Sequence, residues 1–270
     1  MKITLFDGIT YDKDELVKKA YDDDFYYNYL GKYALSSSSI KNLLSSPKTY
    51  RNIMKYGSPS SQALRDGWLM HTCVLEPDVF EKQIFVDVQS KNTKKYKDAV
   101  AEFGKVFTMK EKYDAERLAD ALLRNEMVLE KLNNSDFEVA EIDEISFDGG
   151  FKFPFRAKAD ILGNNSSMYD LKSTSNIEGW KYSADKFGYD IQAFLYCKIF
   201  DIMPDKMGFI IIDKGSLDIG YAQVTEEFYL KGAAKVKRAL EIYEEWFMQE
   251  SDLDQYYINI ELWNTTYQKK

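Results

Sequence analysis

Only two cysteines, Cys73 and Cys197, and one histidine, His71, occur in the 270 residues. The cysteines have no CxxC spacing, which argues against a zinc or iron–sulfur site built on thiolates. No disulfide framework is indicated, so a reducing cytoplasm is the expected compartment. No stretch reaches the length of an apolar membrane span, and the opening MKITLFDGITYDKDE holds no run of signal-peptide length. No membrane partner is therefore expected. Positive charge is also short: 36 Lys and Arg against 44 Asp and Glu leave a net charge of −8. That balance argues against a protein that binds nucleic acid over its whole surface. It leaves open a local basic groove on an acidic body, and acidic residues are what hard metal ions require. Internal repeats and low-complexity tracts are absent from the sequence.

What is present suits one large domain with helical elaboration. Apolar residues make up 45% of the chain, enough for a sizeable core, and 20 Tyr and 17 Phe make it rich in aromatics. Residues 1–35 read as a peripheral segment, polar and tyrosine-rich, with an acidic cluster at Asp22, Asp23 and Asp24. LSSSSIKNLLSSPKTY then predicts a serine-capped helix that stops near Pro47. A second helix is predicted from Ser60 to Leu75, ending at Pro77. SKNTKKYK, Ser90 to Lys97, reads as a lysine-rich turn. Two further helices follow, the second opened by the capping box Thr108 to Glu111, with a core-facing stripe from Ala115 through Leu118, Leu122 and Leu129 to Leu132.

The period changes after residue 137. AEIDEISF alternates, Asp148-Gly149-Gly150 turns the chain, and FKFPFRAKADIL returns as a strand. NNSS is a second turn and MYDLKST a third strand. A helix is predicted over 185–203, then the strands GFIIID and IGYAQVT, then a long amphipathic helix from Glu226 to Gln249. This order describes an α/β (α+β) fold with a mixed central sheet flanked by helices.

The chemistry concentrates in AKADILGNNSSMYDLKST. Asp170 and Lys172 are two apart on a strand, so they share a face, and the hairpin can bring Asp160 beside them. Two carboxylates and an ammonium suit phosphodiester hydrolysis. The carboxylates hold divalent metal, the carbonyl of Leu171 is available as a further ligand, and the lysine can orient the attacking water. A D-x-K triplet alone is common on solvated faces. Gln192 and Tyr196 lie four apart on one helix face, either as a surface hydrogen-bonding pair or as a lining of the site. Taken alone, His71 reads better as a satisfied buried histidine than as a ligand, and Glu76 is ambiguous, since Glu–Pro often just ends a helix.

In order, these features are G-x3-H-x4-E-P from Gly67, an acidic strand, Asp160, D-L-K-S-T from Asp170, and Q-x3-Y from Gln192. The set resembles the RecB-type branch of the PD-(D/E)XK nucleases. GWLMHTCVLEP and LSSSSIKNLLSSPKTY look most like the RecE-like (exonuclease VIII type) exonucleases of phages and prophages. The resemblance covers roughly residues 35–250. By that resemblance His71, Asp160, Asp170 and the Leu171 carbonyl belong to a metal site. Glu141 corresponds to the first acidic position, with Glu144 as the competing choice. Lys172 is the motif lysine, and Gln192 and Tyr196 form the Q-x3-Y helix. Ser38, or a neighbouring serine of the same run, corresponds to a serine that contacts the terminal 5′-phosphate, and Lys94 and Lys95 are candidate DNA contacts.

The resemblance implies a Mg²⁺-dependent enzyme, with Mn²⁺ able to substitute, that degrades linear duplex DNA from the 5′ end. The 3′ strand it leaves would pass to a RecT-like annealing protein in a bacterial cytoplasm. It also implies a toroidal homo-oligomer. The expected division is a segment 1–35, an exonuclease domain 36–250, and a C-terminal tail 251–270. The aromatic stretch from Tyr256 to Tyr267 in that tail packs either on a neighbouring subunit or on its own domain. A structure-specific or restriction-like endonuclease and an inactive DNA-binding relative are the alternatives. The four-cysteine iron–sulfur branch of the family is excluded by the cysteine count.

Overall fold

The computed structural model describes residues 1–249 and 251–259. Five strands form one sheet, in sequence order: β1 (Ser135–Ile145), β2 (Phe153–Gly163), β3 (Ser167–Thr174), β4 (Met207–Asp213) and β5 (Ile219–Gln223). All neighbours are antiparallel except β3 and β4, which run parallel. That one parallel pair needs a crossover, supplied by the helical stretch that includes α4 below. β4 is buried at every residue, which explains its unbroken apolar run MGFIIID. The turn after β1 works as its composition requires: Asp148 and Gly149 both take positive φ, 53° and 72°.

Helices cover both faces. We label those that position the site α1 (Ser37–Ser45), α2 (Gln62–Leu75), α3 (Met109–Leu123), α4 (Tyr189–Ile199) and α5 (Glu226–Tyr243). On one face Ile191, Phe194 and Leu195 of α4 and Val236, Ala239 and Leu240 of α5 pack on Phe153, Phe155 and Ala157 of β2. On the other, Met70 and Leu75 of α2 and Leu118 and Leu122 of α3 pack on Ile161, Leu171, Ile210 and Ile212.

Several boundaries differ from the sequence reading. Pro47 ends one helix but also opens the next, Pro47–Tyr56, at a first-turn position where its missing N–H costs nothing. The lysine-rich stretch is not a turn throughout, because Thr93 caps a helix running Lys94–Phe103. The apolar stripe from Ala115 to Leu132 is split at Asn125, whose side chain caps a separate helix, Glu126–Leu132. α4 starts later than predicted, after Gly188 in a left-handed conformation.

The segment before residue 35 is not peripheral. Ile3, Leu5, Leu16, Ala20, Tyr26, Leu30 and Ala34 bury themselves against Ala140 and Ile142 of β1. Its polar look came from outward-facing residues, and its spaced apolar ones form a core of their own. The segment then bonds to β2: Leu35 N–H donates to Pro154 O at 2.8 Å, and Arg156 N–H donates to Leu35 O at 2.8 Å. The described part of the tail docks on its own domain through buried Leu253 and an edge-to-face contact of Tyr256 with Trp246. Trp263 and Tyr267 lie outside the described residues. Among the described residues no helix is long and apolar enough to cross a membrane.

α4 and α5 approach closely at Gly232, where a Cβ would stand 2.0 Å from the Asp190 carbonyl oxygen. Backbone cannot yield there as a side chain could. Gly232→Ala should therefore destabilise the protein by about 2–4 kcal/mol, read as a lowered denaturant midpoint at unchanged m-value. An unchanged midpoint would mean that the two helices slide freely past each other.

Candidate active site

β2 and β3 pair only at Ile161↔Tyr169, Leu162↔Met168 and Gly163↔Ser167. Beyond those three pairs the ladder stops and the strands fork. A fork leaves backbone groups without partners in a buried place, where each unmade bond costs about 1–3 kcal/mol. Here side chains make the bonds. Leu171 N–H donates to Asp160 Oδ2 at 2.8 Å, and Leu171 O faces His71 Nε2 at 2.6 Å. His71 Nδ1 also lies 3.4 Å from Asp160 Oδ2. α2 thus delivers its histidine to the mouth of the fork, and Asp160 stands in for the missing ladder.

Asp170 and Lys172 lie on β3 beside the fork, as their i, i+2 spacing requires. Asp170 is 1% exposed. Its two oxygens are held by Gln192 of α4 and by the Lys172 ammonium. Burial alone would pull the Lys172 pKa down, but Asp170 and Asp160 prevail and hold it above the ordinary lysine value. Tyr196, one turn after Gln192, has a hydroxyl held protonated by burial and by the neighbouring Tyr26, Asp170 and Asp160. Gln192 therefore reaches the site through Asp170, while the Tyr196 ring packs against the apolar clusters on both sides of α4.

The glutamate that the acidic strand brings to this cluster is Glu138, and not Glu141 or Glu144. Glu138, His71 and Asp160 each offer a ligand atom, all within 4.8 Å of one another. Glu141 instead meets Lys13 at 3.4 Å, and Glu144 accepts from Thr4 N–H at 3.3 Å. The reason is a deformation that strand alternation does not foretell. Glu138 sits between the pairs Phe137↔Ile161 and Val139↔Ala159 with φ of 51°, left-handed backbone in mid-strand. Such a conformation costs a non-glycine residue about 1–2 kcal/mol. Across from it β2 also shifts, since Ala159 packs toward α4 and Ile161 toward α2 although they are two apart.

The cluster is electrostatically loaded. Burial, then Asp170, pushes the Asp160 carboxyl up to about 6, against the pull of His71 and Lys172. Burial, then Asp160 and Glu76, pushes Glu138 up to about 8. A nitrogen and two strained carboxylates in one place fit a divalent cation, which would favour the ionised forms. His71, Glu138 and Asp160 would hold it, with the Leu171 carbonyl adjacent.

Ser38 is exposed on α1, and Lys94 and Lys95 are exposed on the helix Lys94–Phe103, so these three are not brought into the cluster. Lys95 bonds instead to the Asp87 carbonyl at 3.2 Å. The basic residues that do reach the site were missed by the sequence reading. Lys41, one turn after Ser38, is pushed down to about 8 by burial and Lys172, while Asp170 and Asp190 oppose the shift. Lys158, two residues before Asp160, lies 4.0 Å from Glu138 Oε2. The alternation of β2 alone could have found Lys158. Nothing local marks Lys41.

With this geometry in hand, the comparisons are decisive on family. Residues 36–255 match the PDDEXK-like domain of unknown function DUF3799. The chain belongs to this family. No protein of curated function matches it. Among solved structures, a candidate exonuclease of Eubacterium rectale superposes with a TM-score of 0.61 at 18% identity, covering 83% of this chain and 86% of that one. At that identity the likeness shows a shared fold alone, and the PD-(D/E)XK assignment comes from the family match. SSO0001 aligns at 0.41 and 14% identity, over 89% of this chain and 86% of that one. A phage-related exonuclease of Haemophilus somnus 129PT aligns at 0.32 and 16%, over 62% of this chain and 92% of that one. Neither of these two weighs in the argument.

Both raised carboxyls bind protons in the folded state at a pH where the unfolded chain has released them. Stability of the metal-free protein should thus fall as pH rises from about 4 toward 8. Mg²⁺ or Mn²⁺ should raise the melting temperature more at pH 8 than at pH 5. Differential scanning fluorimetry should find that gain in Glu141→Gln but much reduced in Glu138→Gln. The reverse ranking would return the first acidic position to Glu141.

Proposed function

We propose that this DUF3799 chain is a divalent-metal-dependent exodeoxyribonuclease acting on linear duplex DNA. The observation that carries this reading is the convergence of His71, Glu138, Asp160, Asp170 and Lys172 at one strand fork in a PD-(D/E)XK fold. Mg²⁺ is the metal we propose, with Mn²⁺ as a substitute. When bound it supplies Lewis acidity toward the phosphate and a bound water of lowered pKa. Lys172, held charged, lies where it can orient the nucleophile and offset charge on the phosphate. Gln192 fixes Asp170, and Asp170 in turn fixes Lys172. Lys41 adds a second ammonium beside them, without an ion-pair partner among the described residues, where it can meet a phosphate oxygen.

Polarity from the 5′ end, a 3′ strand handed to a RecT-like annealing protein, and a ring-like homo-oligomer in a bacterial cytoplasm complete the proposal. They follow from the RecE-like resemblance. The assembly draws further support from the charge of −8, because one open acidic face holds duplex poorly at physiological salt. Ser38, Lys94 and Lys95 remain proposed DNA contacts outside the cluster.

Incubation with Mg²⁺ should degrade linear duplex and spare closed-circular duplex. Cutting of both would reassign the chain to an endonuclease, and binding without cutting to an inactive relative. Asp160→Asn or Lys172→Ala should lower the rate about 10³-fold at unchanged folding. Ca²⁺, which takes more ligands at longer distances, should support binding with little turnover. Light scattering should give a multiple of the 31.4 kDa chain mass, and digestion should resist a DNA trap added after initiation. A monomer with distributive digestion would sink the ring.

A further inference from the structure

Residues 1–35 precede the family match, yet they reach the site. Lys158 is the point of contact. It projects from β2 on the same side as Asp160, two residues on, and its side chain is only 13% exposed. Three carboxylates surround its ammonium. Asp23 Oδ1 lies at 2.8 Å, Glu138 Oε2 lies at 4.0 Å, and Glu76 acts on it at longer range. Two tyrosine rings of the same N-terminal segment flank it, Tyr26 at 5.4 Å and Tyr27 at 5.6 Å to the ring centroids.

These partners are unequal. Glu138 belongs to the candidate metal cluster. Asp23, by contrast, is 73% exposed on its side chain and binds nothing but Lys158 among the described contacts. It also stands in an acidic run, Asp22 to Asp24, at the edge of a site built to receive a polyanion. A phosphodiester approaching Glu138 and Asp160 would meet repulsion from that carboxylate and attraction to the ammonium beneath it. The tyrosine rings would hold the ammonium in place while its counter-ion changed.

We propose that Lys158 is a substrate-phosphate-binding residue, and that Asp23 is its resident counter-ion, displaced when a DNA phosphate enters. This rests on the reading of the site as a DNA nuclease. The ligand class is a phosphodiester next to the one that is cut, and the role of Lys158 is positioning. The N-terminal segment thereby sets the threshold for substrate entry: Asp23 competes with DNA for one cation, directly and at close range.

The two members of the pair predict effects of opposite sign on binding. The test is the affinity of a short fluorescent duplex, measured by anisotropy in EDTA and in Ca²⁺ across a salt series. Lys158→Gln should weaken binding about tenfold and lower the slope of log K against log salt by about 1, one phosphate contact fewer. Lys158→Arg should keep both. Asp23→Asn should tighten binding about two- to fivefold, and most of that gain should vanish in the Lys158→Gln background, leaving only the relief of direct repulsion. Circular dichroism and melting temperature report folding for each variant. If Lys158→Gln binds like wild type with an unchanged slope, or if Asp23→Asn weakens binding, the pair is structural only and the proposal fails. Failure of the wild-type protein to bind or cut DNA is a different result, and it would overturn the nuclease reading itself.

Discussion

The site depends on one interruption in a hydrogen-bond ladder. Where β2 and β3 part, the Leu171 peptide loses its strand partner, and the two groups it frees are taken by Asp160 and His71. Everything that defines the site is arranged about that peptide. Its flanking residues are Asp170 and Lys172, α4 reaches them through Gln192, and α2 reaches the carbonyl through His71. A regular sheet would have satisfied the same peptide with no side chains at all. The fork exchanges ladder regularity for a place where carboxylates, an imidazole and an ammonium must meet.

That meeting is costly without a cation. Asp160 and Glu138 both resist ionisation, first through burial and then through a neighbouring carboxylate, Asp170 for Asp160 and Asp160 for Glu138, and Glu138 sits in strained left-handed backbone as well. Strain and like charge in one buried spot are hard to explain as devices for stability, since well-packed apolar residues would serve better. They are readily explained if the arrangement is completed by a positive ion. Lys172 and Lys158 offset part of the charge, each from its own strand.

Much of this was legible in the sequence, and the limits of legibility are physical. The D-x-K spacing, the Asp160 hairpin partner and the Q-x3-Y helix depend on regular periods, and regular periods survive in the structure. Glu138 does not. Regular alternation through AEIDEISF begins the strand too late and implies an undistorted pleat, which points to Glu141. The structure starts β1 at Ser135 and bends it at Glu138. Lys41 and the N-terminal segment escaped for another reason. Their part in the site comes from tertiary contact alone, through a helix and a strand bridge that join residues distant in sequence.

The strand order carries a consequence for how the chain comes alive. The five strands are laid down in the order in which they pair, but β3, which bears Asp170 and Lys172, gains its parallel neighbour only when β4 arrives after the α4 crossover. Gln192 lies on that same crossover. A polypeptide growing from its amino end therefore carries His71, Glu138 and Asp160 for some time with nothing to lock Asp170 against them. Long-range parallel pairing is intrinsically slow, because loop closure must precede it. The carboxylate and ammonium of β3 are thus locked beside the His71, Glu138 and Asp160 cluster only once the crossover and β4 are in place.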